Sequence, residues 1–415
     1  MQITNFYEQI LGITKPWFIT DAKIDETDKS VHVNLSHDAG EKFPCKHCET
    51  LCPVYDHSDS RMWRHLDTCD HYTYLHAELP RVKCPQHGVC VIQPDWSRSN
   101  SRFTLQFESF MIDTLQLTQV RCRAAVQLRV SEEQLKRVQK QAVARGLELR
   151  RQNKIEGRPY IVSHICIDEK SLFTGHHYVS IIYDGQTGAV LEVVEHRTQD
   201  AAQSAFTNLG DYVDLTEVQV VTMDMWKAFK NAANTCVPKA DIVHDRFHLA
   251  QYLNKAVDIT RRAENKKLIA QDDERLKGSK YLWLKNPDNF NESQQQLFDT
   301  LKLDNELKTY KVWQLKENFK GFFQTKDEQE AKAFYADWVE KAKEINNTQL
   351  LKVVKTFDNH LQGLLDYTKH RVSNAMAECI NTTIQQIKCK ARGFKSADAF
   401  RTAILFHLGD LCLYP

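Results

Sequence analysis

The order of apolar runs in this 415-residue chain predicts an α/β protein, with a mixed-sheet domain following two smaller N-terminal modules. Three observations carry this. Six of the twelve cysteines fall between Cys45 and Cys90. Residues 101–155 hold eleven Lys/Arg against five acids. From Tyr160 onward, short β-branched runs alternate with helical periodicity, and helix dominates from about Phe247. The chain therefore divides into 1–97, 98–155 and 156–415, with a helical insertion at 249–368.

The sheet domain reads in order. Ile161–Ile167 is a β-branched strand. His177–Tyr183 is a second, and Ala189–Val194 follows the turn Asp184-Gly-Gln-Thr-Gly188 to make a hairpin. Asp200–Tyr212 is helical, Val218–Met223 a fourth strand, Trp226–Cys236 a helix and Ala240–His244 a fifth strand. Helices then pack on the faces of a mixed sheet. That order matches the ribonuclease-H-like arrangement, and other α/β folds share it.

Composition sets bounds. Hydrophobic residues make up 42%, which excludes global disorder. No apolar run approaches the roughly 20 residues of a membrane span. No basic and apolar leader is visible at the N-terminus, so a cytoplasmic location is expected, with reduced cysteines. The net charge of +1, from 55 Lys/Arg and 54 Asp/Glu, conceals local excesses.

The clustered cysteines suggest a metal. Cys45 and Cys48 lie two residues apart, and Cys84 and His87 repeat that spacing. Two such knuckles supply four soft ligands, which suits tetrahedral zinc. Cys45, Cys48, Cys84 and His87 are the favoured set. Cys52 and Cys90 are spare ligands, and His65, Cys69 and His71 could intrude. Four protein ligands leave no open position, so this zinc is structural. Alternation around Tyr72–Leu75 predicts strands between the knuckles.

The basic segment reads as two helices. Leu117–Leu128 is the first, and Ser131 with Gln134 forms a capping box for the second. Leu135, Val138 and Ala142 mark its apolar face. Arg129, Lys136, Arg137, Lys140 and Arg145 supply charge suited to DNA phosphates, in the manner of a helix-turn-helix. A solvated amphipathic helix has the same pattern.

Acids stand at strand ends. Asp168 closes the first strand of the sheet and Asp224 the fourth. On adjacent strands they could share a magnesium or manganese ion, since hard oxygen ligands select such cations. Glu378 offers a third carboxylate. It shares a polar helical face with Asn374, Asn381 and Gln385, opposite Met376, Ile380, Ile384 and Ile387. Whether it faces solvent or the aspartates is open, and strand-end acids are often plain turn residues. Asp245 and His248 form an Asp-x-x-His pair, readable equally as an N-cap beside a core histidine.

These fragments together resemble the DDE transposases of bacterial insertion sequences, specifically the ISL-three family. The resemblance spans the zinc knuckles, Arg81–Gly88, the basic helices, Ile167–Lys170, Thr222–Met225, Asp245–His248, Ser373–Glu378 and Ala391–Phe394. It implies that Asp168, Asp224 and Glu378 are a catalytic triad holding two Mg²⁺ or Mn²⁺ ions for DNA cleavage and strand transfer. It places Asp245 and His248 near that site or at the root of the insertion. It also implies double-stranded DNA partners, namely terminal inverted repeats and target DNA, a homodimer on DNA, and a bacterial, nucleoid-associated setting. Lys369, Arg371, Lys388, Lys390, Arg392, Lys395 and Arg401 form a basic stretch around Glu378 that would offset phosphate charge. Family members commonly carry glycine where this chain has Ala375 and Cys379, and an arginine-rich run where Ile387–Lys390 stands. Trp283, Trp313, Phe322, Phe323 and Trp338 are the expected core of the insertion. Arg261, Arg262, Lys266 and Lys267 are either DNA contacts or a solvated face.

Overall fold

The computed structural model describes residues 3–173, 177–302, 306–372 and 375–415. The chain forms two compact units, residues 1–146 with 411–415, and residues 147–410. The division falls between Gly146 and Leu147, inside the helix Glu132–Ile155.

The first unit is built on β1 (Trp17–Asp25), β2 (Ser30–His37), β3 (Lys42–Pro44), β4 (Leu51–Thr68), β5 (His71–Cys84) and β6 (Gly88–Val91). Their order is β1-β2-β5-β4-β3, with β6 also paired to β5. Alternation along β5 buries Thr73, Leu75, Ala77 and Leu79 and leaves Tyr74, His76 and Glu78 outward, as the two-residue period of a strand requires. Trp17, Val33, Trp63, Leu75 and Val82 belong to the core beneath.

Three helices follow, Leu105–Thr118, Arg121–Leu128 and Glu132–Ile155. The single helix expected from Leu117 is interrupted. Gln119 adopts the left-handed conformation at φ 54° and its N–H closes on Leu115 O, ending the first helix. The capping box forms as expected, with Ser131 N–H donating to Gln134 Oε1 at 2.8 Å and Gln134 N–H to Ser131 Oγ at 3.2 Å. Leu135, Val138 and Ala142 are buried on one stripe.

The second unit holds a sheet of β7 (His164–Phe173), β8 (His177–Asp184), β9 (Val190–Glu195), β10 (Val220–Met223) and β11 (Asp241–His244). Its order is β11-β10-β7-β8-β9. β7, β8 and β9 run antiparallel in sequence, whereas β10 and β11 run parallel to β7. Helices Gln199–Gly210 and Lys227–Cys236 make the crossovers. β7 starts later than expected and continues to Phe173, because its hairpin with β8 extends well past Ile167. Asp168 is therefore inside a strand.

Beyond β11, helices from Arg246 onward pack around Trp283, Phe322 and Trp338, all fully buried, with Trp313 and Phe323 against them. The aromatics expected to form this core do so. In the helix Ala375–Lys390, Ile380, Ile384 and Ile387 are buried at helical spacing. Met376 departs from that stripe. It is 36% exposed, because it lies over the surface turn at Gly188 rather than the sheet. Among the described residues, no helix is long and apolar enough to cross a membrane.

Candidate metal centre and carboxylate site

In the first unit, the β3–β4 and β5–β6 turns carry the two knuckles. Cys84 pairs with Gly88 across the second, and Gly88 supplies the positive φ of 70° that the turn needs. The ligand atoms of Cys45, Cys48, Cys84 and His87 all lie within 4.8 Å of one another. Cys48 Sγ is 3.6 Å from Cys84 Sγ, and His87 Nδ1 is 3.6 Å from Cys84 Sγ and 3.7 Å from Cys45 Sγ. A tetrahedral ion with bonds of about 2.3 Å sets sulfurs about 3.7 Å apart, so these spacings fit zinc. The His47 amide is the chief influence lowering the Cys45 thiol to about 7, which favours the thiolate a metal requires.

Cys90 Sγ is 3.6 Å from Cys45 Sγ but stands outside the four-ligand group. Cys52 is buried with its thiol on Thr50 O at 3.3 Å. His65 is also elsewhere. It bonds Thr104 Oγ1 at 2.8 Å, and burial pushes it down to about 4.

In the second unit, the sheet's register sets the carboxylates. Thr222 pairs with Cys166 on parallel strands, and Met223 with His244. Two residues beyond the first pair come Asp224 and Asp168, and one beyond the second comes Asp245. The three aspartates thus stand level at the ends of adjacent strand pairings, which are about 4.8 Å apart. Strand parity puts Asp168 and Asp224 on one face. β10 ends there while β7 continues with β8, which opens an edge beside Asp168.

Each carboxylate is held. Asp168 Oδ1 accepts from Glu169 N–H at 2.7 Å, and Asp168 Oδ2 from Asn381 Nδ2 at 2.6 Å. Asp224 Oδ1 accepts from Trp226 N–H at 2.9 Å. Burial raises the Asp224 carboxyl above the ordinary carboxylate range. The Trp226 amide and His248 oppose that rise, and the Glu169 and Asp168 charges add to it. Among the described residues, Asp168, Asp224, Asp245 and Glu169 do not bring three ligand atoms within 4.8 Å of one another, so the register brings the acids level without closing them around an ion.

Asp245 caps the helix Arg246–Ile269 through Phe247 N–H at 3.0 Å and bonds His248 Nδ1 at 3.0 Å. The N-cap role is therefore present. The Asp245 bond raises His248 above its ordinary range against the opposing effect of burial, and the Asp168 and Asp224 charges add to the rise.

Glu378 is exposed, and it does not gather with the two aspartates into a cluster of ligand atoms among the described residues. Its helix is nonetheless docked at the site. Asn381, one turn on, reaches Asp168. Lys170 Nζ is 3.3 Å from Asn381 O, and Lys388 Nζ is 2.9 Å from Ser171 O. Ser373 and Asn374, which open this motif, lie outside the described residues.

Several basic side chains expected at DNA are spent within the protein. Arg129 pairs with Asp70 and lies 3.5 Å from Asp67. Arg145 is 3.1 Å from the buried Glu108 and also bonds Leu413 O. In the basic stretch around Glu378, Lys369 pairs with Asp241, Arg371 bonds the Phe323 carbonyl, and Arg401 pairs with Glu192. Arg261 is buried against Asp258, which removes it as a DNA contact. Lys136 and Arg137 stay exposed, with loose pairs to Glu133 at 3.6 and 3.9 Å. Lys140, Lys390 and Arg392 are exposed as well.

Asn381, Glu169, Arg197 and Trp226 join the site only through the fold. Asn381 could have been found, because it shares the polar face of Glu378. Arg197 gave no signal, since its partners come from three separate segments.

Two family profiles match the chain. One, described as a transposase of the ISL3 DDE type, covers residues 165–404. The other, described as the zinc-finger of transposase IS204/IS1001/IS1096/IS1165, covers residues 41–90. The transposase for insertion sequence element IS1557 of Mycobacterium tuberculosis is 25% identical over 430 residues, covering 96% of this chain and 94% of its own length. The transposase for insertion sequence element IS1001 of Bordetella parapertussis is 24% identical over 360 residues, covering 86% of each chain.

Proposed function

Because the chain belongs to the ISL3 family of insertion-sequence transposases, we propose that it binds the terminal inverted repeats of such an element and cuts and rejoins DNA at Asp168, Asp224 and Glu378. The observation that carries this reading is the level placement of Asp168 and Asp224 on adjacent parallel strands, with the Glu378 helix tied to Asp168. The strand order, with three antiparallel strands flanked by two parallel ones, supports a ribonuclease-H-like fold for 156–415, with the helices of 249–368 as an insertion.

Asp168 and Asp224, together with Glu378, would hold two Mg²⁺ or Mn²⁺ ions. Bound there, such ions would supply Lewis-acid activation of the attacking oxygen and of the phosphate. The chain's own groups orient the ligands. The Glu169 and Trp226 amides fix one oxygen of each aspartate, and Asn381 fixes the other oxygen of Asp168. Asp245 holds His248 beside the acids as an accessory group. Cys45, Cys48, Cys84 and His87 would bind a structural zinc that staples two hairpin turns. The capped helix from Glu132 presents Lys136, Arg137 and Lys140 to phosphates as the second helix of a helix-turn-helix. Lys388, Lys390 and Arg392 flank the reacting strand. Pairing two DNA ends calls for a dimer, and the substrate places the protein at the bacterial nucleoid.

The test is strand transfer of labelled end DNA with Mg²⁺ or Mn²⁺. Wild type is expected to join ends, and Asp168→Ala, Asp224→Ala and Glu378→Ala to lose joining while still binding DNA. Unchanged joining in any of the three removes that residue from the triad. Specific, salt-dependent binding with no joining in wild type would indicate a non-catalytic DNA-binding protein.

A further inference from the structure

We propose that Arg197 is a positioning residue that fixes the spacing of the Asp168–Asp224 pair, so that the two carboxylates meet one divalent cation. The proposal rests on the carboxylate reading above. One guanidinium links β7 at Glu169 to Trp226, just past the end of β10, through a continuous set of contacts.

The linkage starts at a turn. His196 holds φ at 73°, a conformation rare for a residue with a side chain. Its N–H donates to Tyr178 O at 2.7 Å, and its carbonyl accepts from Ser180 Oγ at 2.8 Å. That turn carries Arg197 back over the sheet. Arg197 Nη1 lies 2.9 and 3.1 Å from the two oxygens of Glu169. Its guanidinium packs on the rings of Tyr178 at 4.4 Å and Trp226 at 4.9 Å. Its carbonyl accepts from Trp226 Nε1 at 3.0 Å.

Both ends of this bridge meet the aspartates directly. The Glu169 amide orients Asp168 and the Trp226 amide orients Asp224. Arg197 therefore holds the two residues whose backbones aim the carboxylates. It also neutralises Glu169, which leaves the aspartates as the acids in need of a cation. A flat guanidinium can pair with a carboxylate and stack on rings at once, which a lysine ammonium cannot.

The experiment uses full-length, zinc-loaded protein without DNA, titrated with Mn²⁺ by calorimetry and by electron paramagnetic resonance of free Mn²⁺. Arg197→Ala is expected to weaken Mn²⁺ binding by about 10-fold or more, the usual cost of losing support behind a metal ligand. The Mn²⁺ concentration for half-maximal strand transfer should rise by the same factor, while the maximal rate changes by less than about three-fold. Arg197→Lys should fall between. Wild-type Mn²⁺ affinity in Arg197→Ala overturns the proposal, whether DNA binding falls (a phosphate contact) or only the melting temperature falls (a packing role). If Arg197→Ala does not fold, Trp226→Phe and Arg197→Lys decide, and unchanged affinity in both overturns it. Asp168→Ala and Asp224→Ala separate the two readings. If they lose the Mn²⁺ site while Arg197→Ala keeps it, the proposal alone fails. If they keep it, the carboxylate reading fails and the proposal with it.

Discussion

The side-chain amide of Asn381 donates to Asp168 Oδ2 at 2.6 Å, tying together residues 213 positions apart. The bond lies one helical turn from Glu378, so it aims Asp168 and seats beside it the helix that carries Glu378. Each carboxylate oxygen has two lone pairs, so the amide leaves Asp168 free to bind a cation. Asn381→Ala is expected to reduce strand transfer by about 10- to 100-fold, as for other residues that support a metal ligand. Because Ile380, Ile384 and Ile387 still seat the helix, melting should move little. Rates measured against metal concentration, beside a thermal melt, check this.

The group of Cys45, Cys48, Cys84 and His87 separates an imidazole from a thiol alternative for the proposed zinc. His87→Ala is expected to release the metal, whereas Cys90→Ser should retain one zinc per chain, since Cys90 stands outside the four-ligand group. Metal analysis by mass spectrometry after dialysis reads both. Zinc kept by His87→Ala and lost by Cys90→Ser would exchange their roles. Cys48→Ser should lose zinc and melt the first unit at a lower temperature, because metal binding contributes directly to folding in such modules.

Glu192 is 2% exposed and meets Arg401 at 2.6 and 2.9 Å, which joins the helix Ala397–Leu408 to β9. Removing the arginine alone strands a buried carboxylate. Arg401→Met is expected to cost about 3–5 kcal/mol of stability, and Arg401→Met with Glu192→Leu to recover much of it. Urea unfolding of the single and double variants gives the comparison. A single-variant loss below about 1 kcal/mol would place the pair with ordinary surface ion pairs.

His244 is 2% exposed, and burial, with His360 and Lys230 nearby, pushes it down to about 3. Between that value and the ordinary 6.5, the unfolded chain holds a proton that the folded chain lacks. The histidine's contribution is therefore complete above about pH 6.5 and is lost as pH falls toward 3, at about 1.4 kcal/mol per pH unit. In unfolding measured from pH 7 to 5, His244→Asn should reduce the acid-side slope by about one proton. An unchanged slope would mean that His244 is charged in the native state.

Much of the site was legible along the chain, for physical reasons. Knuckle spacing is a local property, so Cys45, Cys48, Cys84 and His87 could be read without a fold. The capping box was equally local, since Ser131 and Gln134 satisfy each other's backbone across one turn. Strand β7 was harder. Its length depends on its partner β8, and so Asp168 is inside a strand rather than at its end. The basic residues misled most. Composition counts charges, but Arg129, Arg145 and Arg401 find acids supplied by distant segments.

The sequence by itself determined the order of elements, the four residues of the first unit suited to a metal, the aromatic core around Trp283 and Trp338, and the acids worth testing. Periodicity, ligand spacing and caps act over a few residues, so linear order encodes them. Only the tertiary structure decided that Asp168 and Asp224 stand level on neighbouring strands, that Asn381 bonds Asp168 and Arg197 bonds the adjacent Glu169, and that Glu378 remains at the surface. Those relationships come from strand register and from side chains meeting across long separations, and no local pattern in the chain carries them.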